Sequence, residues 1–179
     1  SAEFAEGSFN KKYKEKQEKF PIGDMARFTS LGRDWANISD TPFRKYKNYS
    51  YEGGICTPFI AFWPGVIKDG RISDAPAHFI DVMATLVDIA GADYPERFKG
   101  EKIVPLQGQS LLPVFRGAAF ARKKPLFWEW RSQEAVRWEG WKAIRNKKKD
   151  WQLYSMKEDK TETSDVAEKH PDVVTRLDE

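Results

Sequence analysis

The sequence predicts an α/β fold that closes with a small antiparallel sheet and a terminal helix, and three observations predict it. The near-continuous apolar run Cys56 to Trp63 has the length of a strand and lies between Gly53-Gly54 and Pro64-Gly65, as expected of a strand buried on both faces. Phe79, Val82, Met83, Leu86, Val87 and Ala90 recur at the spacing of one helical face. From Pro125 the texture changes to short β-like runs that end in a helical segment.

Taken in order, residues 1–50 read as a loop-rich lead-in. Pro21, Gly23, Gly32 and Pro42 punctuate it, and one short helix with a thin apolar face is expected from Phe9 to Glu18. The lysines at 11, 12, 14, 16 and 19 are interrupted by Glu15 and Glu18, which suits a solvated charged face better than a polyanion contact. After the 56–63 strand, Asp74 and Pro76 precede the amphipathic helix and Gly91 stops it. Tyr94 to Gly117 is rich in Pro and Gly and reads as a surface connection, with a helical turn at Ser110 to Phe115. Leu126 to Arg131, Ala135 to Arg145 and Trp151 to Tyr154 then form a meandering antiparallel sheet, with Glu139-Gly140 as a turn inside the second run. Asp165 to Leu177 supplies the last helix, with Val166, Val173, Val174 and Leu177 as its apolar positions. No repeat recurs along the chain. The composition shift at Ala118 to Lys124 divides the chain into 1–118, an α/β part, and 119–179, an antiparallel subdomain with its helix.

Composition narrows the function classes. Among 179 residues, 30 Lys and Arg face 27 Asp and Glu, a net charge of +3 that is too balanced to imply a nucleic-acid or membrane-surface partner by charge alone. Arg122-Lys123-Lys124 and Lys147-Lys148-Lys149 have no recognition motif around them. The longest uncharged stretch, Gly53 to Ile67, is shorter than the roughly 18 residues of a membrane span and is broken by Pro58 and Pro64. No basic-then-apolar leader opens the sequence, so an export signal is expected upstream or already removed. The single cysteine excludes an internal disulfide, and with only His78 and His170 beside it no Cys/His metal site is expected.

Three blocks in fixed order point further. The first is Trp35-Ala36-Asn37-Ile38-Ser39-Asp40-Thr41-Pro42-Phe43-Arg44, then Lys47, then Tyr51-Glu52-Gly53-Gly54-Ile55-Cys56-Thr57-Pro58-Phe59-Ile60, closing on Trp63-Pro64-Gly65. The second is His78-Phe79-Ile80-Asp81-Val82-Met83-Ala84-Thr85-Leu86, closing on Ala90-Gly91. The third is Ala135-Val136-Arg137, Trp141-Lys142-Ala143-Ile144, Trp151-Gln152-Leu153-Tyr154, Lys160-Thr161-Glu162-Thr163 and His170-Pro171. From Leu31 to Leu177 this order resembles the C-terminal part of the sulfatases, in particular the bacterial arylsulfatase type within the alkaline-phosphatase superfamily.

The resemblance implies a role for Lys47, the lysine four residues before Tyr51-Glu52-Gly53-Gly54: in that family it binds an oxygen of the sulfate group. The residue type suits the task. Sulfuryl transfer, like phosphoryl transfer, depends chiefly on positioning and on stabilising charge on the non-bridging oxygens, and an ammonium is a compact cation for doing so. Lys45 is the nearby competitor. Gly53 and Gly54 read as a backbone feature, permitting positive φ and close approach of neighbouring chain. His78 reads as the structural opening of a packing helix, His170 as exposed, and Cys56 as a small buried strand residue. Cys56-Thr57-Pro58-Phe59-Ile60 has Ile60 where the formylglycine motif of sulfatases has arginine, so Cys56 is not expected to be the nucleophile precursor.

The resemblance further implies that the complete enzyme hydrolyses sulfate esters with a formylglycine nucleophile and calcium, both held upstream. This chain alone is then expected to bind neither cofactor and to be inactive. The implied partners are a sulfated small molecule or sulfated glycan and the N-terminal part of the same sulfatase, with no nucleic acid and no membrane, in a periplasmic or secreted setting. Tyr51, where many relatives have histidine, and Trp130-Arg131-Ser132, in place of a His-Glu-Gly-like sequence, are expected near the substrate cleft. Trp128, Trp130 and Trp138 offer rings for stacking on sugars or for core packing. Two alternatives stand beside the enzyme: a non-catalytic module that binds sulfated glycans, and a phosphoesterase of the same superfamily.

Overall fold

The computed structural model describes residues 19–21, 24 and 32–179; the helix expected at Phe9 to Glu18 lies outside the described residues. In chain order there is a helix at Gly32–Ser39, a helical turn at Glu52–Ile55, a helix at Phe79–Ala90 and a two-stranded hairpin, β1 (Arg97–Phe98) and β2 (Glu101–Lys102). A helical turn at Leu112–Phe115 leads to β3 (Leu126–Trp130), β4 (Gln133–Trp138), β5 (Trp141–Asn146) and β6 (Gln152–Ser155), then a 3-10 turn at Ala167–Lys169 and a helix at Pro171–Asp178. Two compact units result, one made of the residues up to Thr57 with Phe127–Glu179, the other of Pro58–Leu126.

In the first unit, β3 to β6 form a sheet in sequence order, with β4–β5 and β5–β6 antiparallel. Glu139 and Gly140 both take positive φ (48° and 83°), which is what a two-residue hairpin turn with the twist of its strands requires. Ala135 pairs with Ile144 and Val136 with Ala143, so the period of two sends these pairs to opposite faces. Val136, Ala143 and Leu153 pack on Val173 and Leu177 of the terminal helix, while Ala135, Ile144, Tyr154 and Met156 pack around Tyr51. Both faces are therefore covered, one by a helix and the other by the segment around residues 44–55.

The expected terminal helix is broken at His170, with Pro171 opening the second part; a proline lacks the N–H that continuing the first turn would need. His170 is half-buried with its ring 5.0 Å from Trp141, a correction to the expected exposure. Trp138 lies opposite Trp141 and packs at the edge of the terminal-helix core.

In the second unit the amphipathic helix occupies the residues its periodicity marks out, and Gly91 ends it in the left-handed conformation (φ 58°). His78 is its N-cap: Nδ1 accepts the Ile80 N–H at 3.3 Å, and the Asp81 carboxylate accepts the His78 N–H at 2.7 Å. The structural reading of His78 therefore stands.

Asp81 is fully buried and saturated. It also accepts the Gln109 N–H at 2.8 Å and a forked pair of bonds from Arg122 at 2.6 and 3.2 Å. Burial pushes its carboxyl up, but Arg122 and the two backbone N–H groups outweigh burial and hold it below the ordinary value of 3.8. A folded-state value below the unfolded one stabilises the protein above pH 3.8, and that stability is lost as pH falls through the depressed value. Asp81→Asn strands Arg122 and is expected to cost roughly 3–5 kcal/mol. Amide exchange across Phe79–Ala90 should accelerate at neutral pH, and the acid-labile step of the parent should disappear. Equal protection in parent and variant would contradict this account.

Three expectations fail here. The Cys56 to Trp63 run has no regular secondary structure and pairs with no strand among the described residues, and Phe59, Ile60 and Phe62 are 57%, 89% and 87% exposed. A doubly buried strand takes its ladder and its cover from neighbours, and these residues have neither. Cys56 is accordingly exposed, not buried. The Gly32–Ser39 helix and the β1–β2 hairpin fall in passages that read as loop: the helix buries no residue, and each strand is two exposed residues long.

Candidate functional site

The loop from Arg44 to Gly53 carries Lys47. Its two ends meet, the Gly53 N–H donating to the Arg44 carbonyl at 3.0 Å, and the Tyr49 N–H closes an inner turn on the Tyr46 carbonyl at 3.2 Å. Lys45 and Asn48 both take positive φ (67° and 80°), so the chain turns sharply on either side of Lys47. Lys47 is exposed at this turn and is unpaired among the described residues. Lys45, the competitor, has its ammonium 5.4 Å from the centre of the Tyr49 ring.

The glycines make the loop possible by closeness. Neither Gly53 nor Gly54 takes positive φ, which corrects half of the expectation. A Cβ on Gly53 would lie 2.3 Å from the Lys45 carbonyl oxygen, and one on Gly54 would lie 2.0 Å from that of Tyr49.

Below the loop lies a buried polar layer on the sheet. The Ser50 N–H donates to Gln133 Oε1 at 2.8 Å, and the Tyr51 hydroxyl to Gln152 Oε1 at 2.5 Å. Tyr51 is thus a core residue facing the sheet and not a cleft residue, and burial raises its phenol above the ordinary value. Arg44 donates to the Tyr154 hydroxyl at 3.0 Å and to the Glu162 carbonyl at 3.1 Å. Burial pushes the Tyr154 phenol up to about 12, so it remains a neutral partner for that guanidinium.

Glu52, Lys142 and Glu162 complete the layer. Lys142 Nζ is 2.7 Å from Glu52 Oε1 and 2.6 Å from Glu162 Oε1, with all three side chains buried. Arg137 lies 3.6 Å from Glu52, so two cations balance two carboxylates. The Glu52 N–H donates to Glu162 Oε2 at 2.7 Å. Burial raises the Glu162 carboxyl, and Lys142 opposes that rise. Sequence reasoning misses this cluster; its one signal is a lysine in phase with Ile144 on an inward-facing strand position.

Beside the loop is a groove of about 430 Å³ whose lining includes Asn48, Tyr49 and Ser50 together with Trp128, Glu129 and Trp130 of β3. Trp130 is 53% exposed, whereas Trp128 packs half-buried against the core. Trp130 lines this groove, whereas Tyr51 does not. The second unit has an apolar depression of about 260 Å³ between the unpaired Phe59, Phe62 and Trp63 and the helix residues Leu86 and Ile89.

Among the described residues no group of three or more His, Cys, Asp or Glu side chains is arranged to hold a metal ion. Although Cys56 is exposed, desolvation by the neighbouring chain and the Glu52 carboxylate push its thiol up, the opposite of what an activated nucleophile needs. No described helix is long and apolar enough to cross a membrane.

A family model described as N-sulphoglucosamine sulphohydrolase, C-terminal, matches residues 43–179. An uncharacterized sulfatase of Schizosaccharomyces pombe is 32% identical over 163 residues, covering 87% of this chain and 29% of that protein. An arylsulfatase of Klebsiella aerogenes is 35% identical over 94 residues, covering 52% of this chain and 20% of its own length. A sulfatase structure described for the metabolism of multiple glycosaminoglycans by Bacteroides thetaiotaomicron superposes with a TM-score of 0.60 at 25% identity, over 76% of this chain and 30% of that one. Ps i-CgsB reaches 0.61 at 23% identity over the same shares, a likeness of fold alone. This chain therefore spans less than a third of the length of these relatives. A family match over residues 43–179, together with the ordered motifs and the sheet and helix built from them, makes this chain a member of the sulfatase family, corresponding to the C-terminal portion of the sulfatase fold.

Proposed function

We propose that this chain is the C-terminal part of an arylsulfatase-like sulfuric ester hydrolase in which Lys47 binds a non-bridging oxygen of the sulfate group. The observation that carries the reading is the Lys47 ammonium, unpaired among the described residues and presented at a turn whose two ends are tied together and to the sheet. A cation fixed in this way stabilises the transferring group without reorganising as charge develops. Formylglycine and calcium belong, on this reading, to the rest of the protein: the described residues fit neither, and what they contribute is a charge and its support.

The substrate's organic part would lie along the Trp128–Trp130 groove, whose mixture of rings and polar groups suits a sugar ring as well as an aryl group. One structural neighbour is described for the metabolism of glycosaminoglycans, which supports a sulfated glycan as one substrate class. The apolar depression in the second unit would be covered by the N-terminal part of the same protein, supplying the neighbours that the 56–63 run lacks. A periplasmic or secreted setting fits such a substrate.

The same groove favours a second reading, a sulfatase-derived module that binds sulfated glycans without turnover. Assaying the complete protein on paired chromogenic sulfate and phosphate monoesters, with the 179-residue chain as control, separates the readings. The enzyme reading expects sulfate release by the complete protein and none by the chain alone.

A further inference from the structure

We propose that Lys142 is a positioning residue for Lys47, acting through Glu52 and Glu162. The proposal rests on the sulfate-binding reading of Lys47 and concerns how that ammonium is held.

The Arg44–Gly53 loop has little regular structure of its own, so its shape depends on what grips its ends. Glu162 grips both: its carbonyl accepts from Arg44 at 3.1 Å, and its carboxylate accepts the Glu52 N–H at 2.7 Å. Glu162 itself sits at positive φ (57°) with no exposure, a conformation held only by its surroundings. Lys142 is the group that lets this clamp exist. Two buried carboxylates next to one another would repel and desolvate at high cost, and the Lys142 ammonium bridges them at 2.7 and 2.6 Å. Arg137, on the neighbouring strand and in register with Lys142, balances the remaining charge at 3.6 Å from Glu52. Because Lys142 projects from a strand hydrogen-bonded on both sides, the clamp refers the loop to the buried interior of the sheet. Lys142 is completely buried and reaches no substrate; its effect on turnover passes through the place it gives Lys47.

A purely structural lysine would lower the amount of folded protein without caring whether Lys47 is present. A positioning lysine loses its effect once Lys47 is gone, so the two roles separate in a double-mutant cycle. In the complete sulfatase, kcat/KM for a chromogenic aryl sulfate is measured per folded molecule for the parent, Lys142→Met, Lys47→Ala and the double variant. Lys142→Met is expected to lower kcat/KM by roughly 10- to 100-fold, the range seen when a supporting residue behind a functional one is removed. The double variant should match Lys47→Ala within about threefold. Should Lys142→Met not fold, Glu162→Gln, which keeps the side-chain shape, takes its place in the cycle with the same expectation. Losses that multiply in the double variant, or unchanged kcat/KM in the supporting variant while Lys47→Ala is impaired, would overturn the positioning role. Unchanged activity of Lys47→Ala itself would instead refute the underlying assignment of Lys47, and the positioning role with it.

Discussion

Replacing Lys47 by alanine in the complete sulfatase is expected to lower kcat by roughly 10²–10³-fold, the loss typical of one preorganised group aimed at developing charge. The protein should remain folded. Lys47 is exposed at its turn and makes no ion pair among the described residues, so its removal takes away no packing and strands no partner. Lys45→Ala is the internal control. Its ammonium lies over the half-buried Tyr49 ring, a cation–π contact worth on the order of 1 kcal/mol, so it should affect stability modestly and turnover little. Steady-state kinetics on an aryl sulfate, with thermal unfolding alongside, checks both variants. Near-parental kinetics for Lys47→Ala, or a loss as large in Lys45→Ala, would sink the assignment.

Gly54→Ala, at the residue just after the loop, is expected to place the most disruptive single methyl group against it. Its Cβ would stand 2.0 Å from the Tyr49 carbonyl oxygen and 2.7 Å from that of Tyr46. Both obstacles are backbone, and neither can rotate aside as a side-chain tip could. Overpacking of this kind costs about 3 kcal/mol or more. A loss of that size lowers Tm by roughly 10 °C or more in a unit of this size. Gly70→Ala is the contrasting substitution, since nothing lies within 4 Å of its Cβ and its φ is not left-handed. Its Tm should stay close to the parent's, and a shift as large as that of Gly54→Ala would show that steric closeness is not the cause. The Gly54 variant should also lose activity beyond its loss of stability, because relief of the clash must push the Tyr46–Tyr49 turn, and Lys47 within it, away from its place.

These expectations trace back to how physical information is distributed along the chain. The Phe79–Ala90 helix is legible in the sequence because its periodicity, its N-terminal acid and its glycine stop are local signals that agree with one another. The β4–β5 hairpin is legible for the same reason: Glu139-Gly140 names the turn, and the alternation on either side names the faces. The 56–63 run reads as a paired strand and is not one, because apolar content states that a segment is to be covered, not what covers it. Lys47 stands out through motif order alone, since an exposed lysine carries no local mark of its task. Lys142 does not stand out because its carboxylate partners come from the loop and from the segment after β6, and only the folded sheet brings Glu52 to a lysine 90 positions away.

The role proposed for this chain is to complete a site for sulfate esters. The most direct measurement is initial-rate release of sulfate and of phosphate from otherwise identical chromogenic aryl monoesters by the complete protein. The sulfate ester is expected to be turned over in preference to the phosphate ester, and the 179-residue chain alone to release neither. Preference for the phosphate ester, absence of any hydrolysis by the complete protein, or turnover by the isolated chain would contradict that role.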